Sequence, residues 1–294
     1  MFKGLVTLIR ERFPLYQYSP MILLFGLGNG LYFYSQKGLK LSSLGLVLSL
    51  LILFSSFLRL RFFDEIKDLE TDIRINPTRP LARGAVSVPQ VKSALLLLII
   101  FEIVLSFLLN PAFMLIQALV IGYSLLMYEE FFIGDFLRPH LTTYAVVHTF
   151  SSVLMAFMVA EGAVGGLVLK VNSHTVAFLL ANWMFFNIFE FARKTFADSE
   201  EREGVDTYSS LFGIRGAVAL SFSQVVMGCA LLGYSLENQN LILVEILAGL
   251  YAILGIVFII KPNVKMAKVF RNLSGLYLLL HYAALISLLG KGLL

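Results

Sequence analysis

The chain has 294 residues, of which 58% are hydrophobic and only 14% are charged, and its mean hydropathy is +0.83. A soluble domain carries about 25% charged residues, so this composition excludes an ordinary soluble globular protein. The formal net charge of +4 fits basic loops beside a membrane better than a nucleic-acid-binding surface. The single cysteine, Cys229, excludes an intrachain disulfide and a thiolate metal cluster.

The apolar runs predict an all-α polytopic membrane protein, with one domain over residues 1–294. A transmembrane helix needs about 20 mostly apolar residues, and residues 1–13 instead show the spacing of a short amphipathic helix in the membrane interface. Nine spans are predicted, namely 16–35, 41–62, 92–109, 112–128, 141–160, 174–192, 215–235, 241–260 and 272–290.

The distribution of basic residues predicts the orientation. A cytoplasmic N-terminus places 19 of the 23 lysines and arginines inside and leaves only Lys37, Lys40, Lys170 and Lys291 outside. Cytoplasmic loops of membrane proteins carry this excess, so the C-terminus is expected outside, and in a bacterium the protein would lie in the inner membrane. Fifteen of the 19 acids also fall inside, which the orientation rule does not require.

The acids are concentrated in two predicted cytoplasmic loops, 64–90 and 193–214. If the second span continues as a helix into the first loop, one face carries four carboxylates that repel one another unless a cation lies among them. Mg²⁺ suits this arrangement because it binds a few carboxylates together with substrate phosphates. A salt-bridged surface helix is the alternative, but it explains only the opposite face. The residues of the acid face are Arg61, Asp64, Glu65, Asp68 and Asp72.

The next segment, INPTRPLARG, contains two prolines and a glycine that end the helix. The resulting turn is expected to bring Arg79 and Arg83 back toward the acids, where guanidinium groups bind phosphate oxygens. Together with Arg61 they are the predicted phosphate-binding residues of this loop. Attraction to anionic lipid headgroups is the alternative role for these arginines.

Residues 64–72, DEIKDLETD, and 76–84, NPTRPLARG, resemble the first signature of the UbiA superfamily of intramembrane prenyltransferases, NDxxDxxxD followed by NRPxRPLxxG. Asp64 replaces the usual asparagine and Glu65 the usual first aspartate. The resemblance implies nine helices with acid-rich cytoplasmic loops after the second and sixth spans. It also implies Mg²⁺ as cofactor and an isoprenyl diphosphate that is ionised at the cytoplasmic mouth of the bundle.

The second loop, within 187–213, resembles the family less closely. Gly204, Thr207 and the LFG at 211–213 resemble the end of the second aspartate motif, but the aspartates before them do not align. If the sixth span stays helical to about residue 201, a second stripe forms, with Arg193 and Glu200 pointing away. This stripe consists of Asn187, Glu190, Lys194, Asp198 and Glu201.

Asp198 and Glu201 are expected to bind a second cation, because two cations facing each other can bridge a diphosphate. Lys194 is expected to bind the diphosphate, with Asn187 and Glu190 in support. The alternative is that Glu190 and Lys194 form an ordinary helix-stabilising pair at i, i+4. Within the spans, Glu102 and Glu245 are ionisable, and a packing role between helices is expected for both.

The sequence therefore favours a prenyltransferase that moves an isoprenyl group from its diphosphate to an aromatic or lipid acceptor among membrane lipids. An intramembrane terpene cyclase of the same fold remains open, as does a divalent-cation transporter or a non-catalytic lipid-binding protein. Transport is disfavoured because the acids lie in loops, whereas coupling-ion sites usually lie near the bilayer midplane. No nucleic-acid partner is expected.

Overall fold

The computed structural model describes residues 2–35, 39–166, 171–237 and 239–290. Every regular element within these ranges is helical, which confirms the predicted all-α fold. Three of the four lysines predicted outside, Lys37, Lys170 and Lys291, lie outside the described residues.

Thirteen α-helices follow one another along the described chain, and short 3₁₀ turns cover Glu130–Phe132 and Asp198–Glu200. The α-helices are α1 Phe2–Arg12, α2 Leu15–Ser35, α3 Ser43–Lys67, α4 Leu69–Ile75, α5 Val88–Ser106, α6 Pro111–Tyr128, α7 Gly134–Leu137, α8 Leu141–Thr149, α9 Ser151–Val164, α10 Ser173–Arg193, α11 Tyr208–Ser235, α12 Ile242–Ile260 and α13 Val264–Leu289.

Eight helical segments within the described residues are long and apolar enough to cross a membrane, with α8 and α9 together forming one of them. They correspond to the second through ninth predicted spans. The predicted first span is the 21-residue helix α2, which is long enough but not apolar enough to be counted with the others. Polar residues such as Gln17 and Asn29 lower the mean hydropathy of this helix.

The chain forms two compact units, one of residues 1–132 with 158–167 and the other of residues 133–157 with 168–294. In the first unit, α3 packs against α2, α5 and α6. A Cβ atom on Gly45 of α3 would lie 1.9 Å from the carbonyl oxygen of Gly162, so only glycine allows this approach. Small residues permit such close contact between apolar helices.

The amphipathic helix α1 packs on the first unit with its apolar face. Leu8 is fully buried there, and Leu5 and Ile9 pack against the same cluster. The turn after α4 also belongs to this contact, because a Cβ on Gly4 would lie 2.5 Å from the carbonyl oxygen of Ala85. The location of α1 at the membrane interface stays a prediction. The buried members of the cluster are Leu8, Phe62, Phe63, Leu81, Val86, Val91 and Leu95.

In the second unit, α10 packs against α8, α11 and α13, and α12 packs against α11 and α13. Buried polar side chains between these helices bond one another, as groups removed from water must. The hydroxyl of Tyr282 donates to Oδ1 of Asn182 at 2.6 Å, and the Tyr251 hydroxyl lies 2.6 Å from Ser221 and 3.0 Å from Ser274.

Candidate functional site

The acid face of the first loop is built on an almost continuous helix. Asp68 separates α3 from α4, yet its backbone stays in the right-handed helical region. Its amide donates to the Asp64 carbonyl at 2.9 Å, and the Asp72 amide donates to the Asp68 carbonyl at 2.8 Å. The i, i+4 pattern therefore persists, and Asp64, Asp68 and Asp72 occupy successive turns of one helical path.

Asp64 and Asp68 are the two carboxylates of this face that reach solvent. The Asp64 side chain is 49% exposed and lies 4.0 Å from Nη1 of Arg61, whose Nη2 donates a hydrogen bond to the Tyr18 hydroxyl. Although Asp68 is exposed, surrounding protein atoms partly desolvate it, and together with the Asp64 charge they raise the pKa of Asp68. A cation beside these two acids would relieve their repulsion.

Asp72 is buried and already has a cationic partner. Nη1 of Arg79 donates to both carboxylate oxygens at 2.6 and 2.5 Å, and Nδ2 of Asn76 donates to Oδ1 at 3.1 Å. The proline-containing turn therefore returns Arg79 to the acid helix. Arg79 and Asp72 neutralise each other, so Asp72 is less available as a cation ligand than Asp64 or Asp68.

Glu65 is also buried, with 2% of its surface exposed. Its Oε1 accepts a hydrogen bond from Nε of Arg12 at 2.6 Å, whereas its Oε2 is buried without a hydrogen-bond partner among the described residues. An unpaired carboxylate oxygen in the interior is costly unless a ligand completes it. The unpaired Oε2 of Glu65 is therefore the strongest structural indication that this face binds a ligand.

Arg83 does not return to the acid face, and that expectation is wrong. Its guanidinium donates to both carboxylate oxygens of Glu11 at 2.7 and 2.9 Å, and also to the Thr78 carbonyl. The hydrogen bond from Arg83 holds the pKa of Glu11 below its ordinary value. The sequence did not reveal this pairing because α1 supplies a carboxylate from a distant part of the chain.

The donor set fits Mg²⁺. Among the described residues, no three histidine, cysteine, aspartate or glutamate side chains already converge on one metal position. Mg²⁺ does not need such a cage, because it usually binds one or two carboxylates and fills its remaining positions with water and phosphate oxygens. Asp64 and Asp68 can supply two such carboxylates, and Oε2 of Glu65 is an unpaired carboxylate oxygen on the same helix.

The second loop departs from the predicted helix. The helix α10 ends at Arg193, and the chain then turns, so the stripe predicted to extend to residue 201 is wrong. The Tyr208 amide donates to the Lys194 carbonyl at 3.0 Å, and the Phe196 amide donates to Oγ of Ser209 at 2.7 Å. These bonds to the start of α11 replace the intrahelical bonds that a continued α10 would have made.

The first three members of the predicted stripe have local partners. Asn187 is buried, donates from Nδ2 to Oε1 of Gln224 at 3.1 Å and accepts a hydrogen bond from Thr149. Glu190 accepts hydrogen bonds from Arg193 at 2.5 and 2.7 Å and lies 3.7 Å from Nζ of Lys194. The expectation that Arg193 points away is therefore wrong, and the i, i+4 helix pair is present.

The last two members lie at opposite ends of a 3₁₀ turn, which begins at Asp198 and ends just before Glu201. Asp198 is exposed, whereas the Glu201 carboxylate accepts hydrogen bonds from Thr207 at 2.8 Å and Ser209 at 2.6 Å. Glu200 forms a two-point salt bridge with Arg271, with distances of 2.7 and 3.0 Å. The roles of Asp198 and Glu201 in metal binding stay predictions.

The fold and this site define a polytopic membrane protein that carries an acid- and arginine-rich site at the end of an apolar helix. The model of the UbiA prenyltransferase family matches residues 20–279. The chain belongs to this family.

Solved structures show the same fold at low sequence identity. An apo UbiA homologue from Aeropyrum pernix has a TM-score of 0.67 and 18% identity, covering 94% of this chain and 98% of its own. A structure of digeranylgeranylglyceryl phosphate synthase has a TM-score of 0.64 and 18% identity, covering 94% and 99%. A UbiA homologue from Archaeoglobus fulgidus bound to GPP and Mg²⁺ has a TM-score of 0.58 and 16% identity, covering 95% and 99%. No curated protein has a significantly similar sequence.

Proposed function

We propose that the protein is a Mg²⁺-dependent prenyltransferase of the membrane, which transfers an isoprenyl group from an isoprenyl diphosphate to an aromatic or lipid acceptor. The observation that carries this proposal is the pair of solvent-exposed carboxylates, Asp64 and Asp68, on successive turns of the helix that continues an apolar span. The unpaired Oε2 of Glu65 belongs to the same helix. The family membership supports it, as does the relative from Archaeoglobus fulgidus that binds GPP and Mg²⁺.

In this proposal the acid face would hold Mg²⁺ chiefly through Asp64 and Asp68, while Glu65 and Asp72 remain predicted ligands that are now paired with arginines. When bound, the ion draws negative charge from the diphosphate leaving group. Arg79 is fixed beside Asp72 by two short hydrogen bonds, and Arg61 lies next to Asp64. Both arginines orient the diphosphate at the helix end, because guanidinium forks match phosphate oxygens.

The apolar helices would exclude water from the allylic carbon of the isoprenyl group, where water would otherwise react in place of the acceptor. Arg83 joins the diphosphate site in this proposal only by leaving Glu11, its partner in the structure. In the second loop, Asp198 and Glu201 remain the predicted ligands of a second cation, and Lys194 a predicted diphosphate contact.

The test incubates purified protein in lipid nanodiscs with labelled isoprenyl diphosphates, with and without Mg²⁺ and a membrane lipid extract. Diphosphate release that needs both Mg²⁺ and an acceptor supports prenyl transfer. Release without an acceptor, together with a cyclic hydrocarbon, identifies a terpene cyclase. Absence of release with every isoprenyl diphosphate favours binding or transport and overturns the proposal.

The matched variants are Asp68→Asn on the acid face and Glu70→Gln on the exposed opposite face of the same helix. Even outer-shell partners of a metal are worth about 10–100-fold in affinity or activity, so loss of a direct ligand should reduce turnover by more than about 100-fold. Glu70→Gln should keep near-normal turnover. Equal turnover in both variants would reject Asp68 as a ligand.

A further inference from the structure

A fully buried ion pair joins two helices of the first unit. The side chains of Arg59 in α3 and Glu102 in α5 have no exposed surface. Nε of Arg59 lies 3.1 and 3.2 Å from the two carboxylate oxygens of Glu102, and Nη2 lies 3.1 Å from Oε2. The guanidinium therefore contacts the carboxylate through two of its nitrogens, which defines the orientation of both groups.

Other buried side chains, from α3 and α6, complete the hydrogen bonding of the pair. Glu102 also accepts from Oγ of Ser55 in α3 at 2.9 Å and from Nε2 of Gln117 in α6 at 2.8 Å. Nη1 of Arg59 donates to Oγ of Ser124, which also belongs to α6. The network thus connects α3 to α5 and α6 through bonds that require one relative placement of these helices.

Stability alone gives little reason to retain these charges. An ionised side chain inside a membrane is costly, and replacing a buried ion pair with apolar residues of similar volume is often neutral or stabilising. An apolar interface of this kind would hold the helices together while tolerating small rotations and shifts along the axis. The ion pair removes that tolerance, because its hydrogen bonds depend on direction.

The helix fixed in this way is the one that carries the acid face. Asp64 and Asp68 follow Arg59 by five and nine residues along α3 and its continuation. At a rise of about 1.5 Å per residue, Asp64 lies about 7.5 Å farther along the helix axis. A rotation or shift of α3 at Arg59 is therefore transmitted to both carboxylates with little attenuation.

We propose that Arg59 and Glu102 are positioning residues that fix the rotation and height of α3, and thereby aim Asp64 and Asp68 at the bound cation. This inference rests on the proposed function only in treating the two aspartates as metal ligands. The fixation of the helix itself is a separate property that can be measured without substrate.

The principal test uses the apolar triple variant Arg59→Met, Glu102→Leu and Gln117→Leu, which removes the pair without leaving either charge buried alone. Hydrogen–deuterium exchange of peptides over residues 64–76 is measured in substrate-free protein, and the Mg²⁺ concentration for half-maximal turnover is measured in parallel. The triple variant is expected to keep a thermal midpoint near that of the parent. Exchange over 64–76 should accelerate, and the Mg²⁺ requirement should rise by about 10-fold or more, as for lost outer-shell partners of a metal.

Tyr282→Phe is the matched control, because it removes a buried hydrogen bond to Asn182 in the second unit. It should lower the thermal midpoint without changing exchange over 64–76 or the Mg²⁺ requirement. If the triple variant is folded and matches the parent in both quantities, the pair is only a packing contact and the proposal is overturned.

If the triple variant does not fold, the Arg59→Lys variant tests the proposal instead. It keeps the positive charge but loses the planar guanidinium that contacts Glu102 through two nitrogens. Faster exchange over 64–76 in Arg59→Lys supports the proposal, and parental exchange overturns it. If the parent protein releases no diphosphate from any isoprenyl substrate, the proposed function fails, whereas the exchange comparison still decides whether the pair fixes α3.

Discussion

Nε of Arg12 in α1 donates a hydrogen bond to Oε1 of Glu65 in α3 at 2.6 Å, across 53 positions of the sequence. Glu65 is almost completely buried, so Arg12 provides the positive charge that makes its burial tolerable. The N-terminal helix is therefore attached to the acid face by a charged contact as well as by its apolar side.

Replacement of Arg12 by methionine is expected to destabilise the protein, because it leaves a buried carboxylate without its cation. Removal of one partner of a buried pair costs about 3–5 kcal/mol, and the partial exposure of Arg12 lowers the expected loss to about 2–4 kcal/mol. Thermal unfolding in detergent without added metal measures the effect. Arg10→Met is the control on the exposed side of α1. Similar unfolding midpoints for the two variants would contradict the prediction.

Gly45→Ala is expected to disrupt the contact between α3 and α9, because its Cβ would lie 1.9 Å from the Gly162 carbonyl oxygen. Backbone atoms cannot yield as a flexible side chain can, so the helices must separate. Gly122→Ala in α6 is the matched control, since no atom lies within 4 Å of its added Cβ. That control should be neutral or stabilising by up to about 1 kcal/mol. Equal yields of folded protein for both variants would show that the helices approach less closely.

The acid helix could be predicted from the sequence because its geometry is local. The spacing of Asp64, Asp68 and Asp72 defines one face as soon as the backbone stays helical, and the prolines after Asn76 mark where it ends. The end of α10 could not be predicted in the same way. Ser209 accepts from the Phe196 amide across 13 residues, and this tertiary bond competes with continuation of the helix.

Charge pairing was likewise hidden from the sequence. Arg59 and Glu102 are 43 positions apart, and Glu200 and Arg271 are 71 positions apart. The sequence shows that these residues are ionisable, but only the packing of the helices determines which of them form ion pairs. For Arg271, no local pattern in the sequence would have indicated its partner.

The salt bridge between Glu200 and Arg271 should make stability depend on pH. The hydrogen bonds from Arg271 hold the pKa of Glu200 below its ordinary value of 4.5. The salt bridge therefore contributes fully to the free energy of unfolding at pH values above the pKa of Glu200 in the unfolded chain. This contribution is lost as the pH falls through the lower pKa that Glu200 has in the folded protein. At neutral pH, Glu200→Gln should lower the free energy of unfolding by about 1.5–3 kcal/mol, as for loss of a hydrogen bond to a charged group.

Unfolding midpoints of the parent and Glu200→Gln, measured from pH 7 down to pH 3, check this dependence. The difference between the two proteins should shrink below about pH 4, where the unfolded carboxyl is protonated. Glu203→Gln, at an exposed position of the same loop, is the control and should follow the parent throughout. A difference that stays constant with pH would show that Glu200 contributes through packing instead of charge.

The predicted orientation places Ser87 on the cytoplasmic side and Gln239 on the outer side. Single cysteines at these exposed positions, in a Cys229→Ala background, can be labelled with a membrane-impermeant maleimide. The Gln239→Cys protein should react in intact cells, whereas the Ser87→Cys protein should react only after the membrane is opened. The reverse pattern would invert the topology inferred from the basic residues.

The attachment of α1 also affects the order in which the protein assembles during synthesis. Glu11 leaves the ribosome 72 residues before its partner Arg83. At about 5–20 residues per second, α1 waits for about 4–14 s before that partner is made. Until Phe62 and Phe63 are made, Leu8 has none of its buried cluster partners to cover it, and an amphipathic segment of this kind binds at the bilayer surface. The helix α1 therefore reaches its final contacts only after the residues of α3 and of the following turn that cover it have been synthesised.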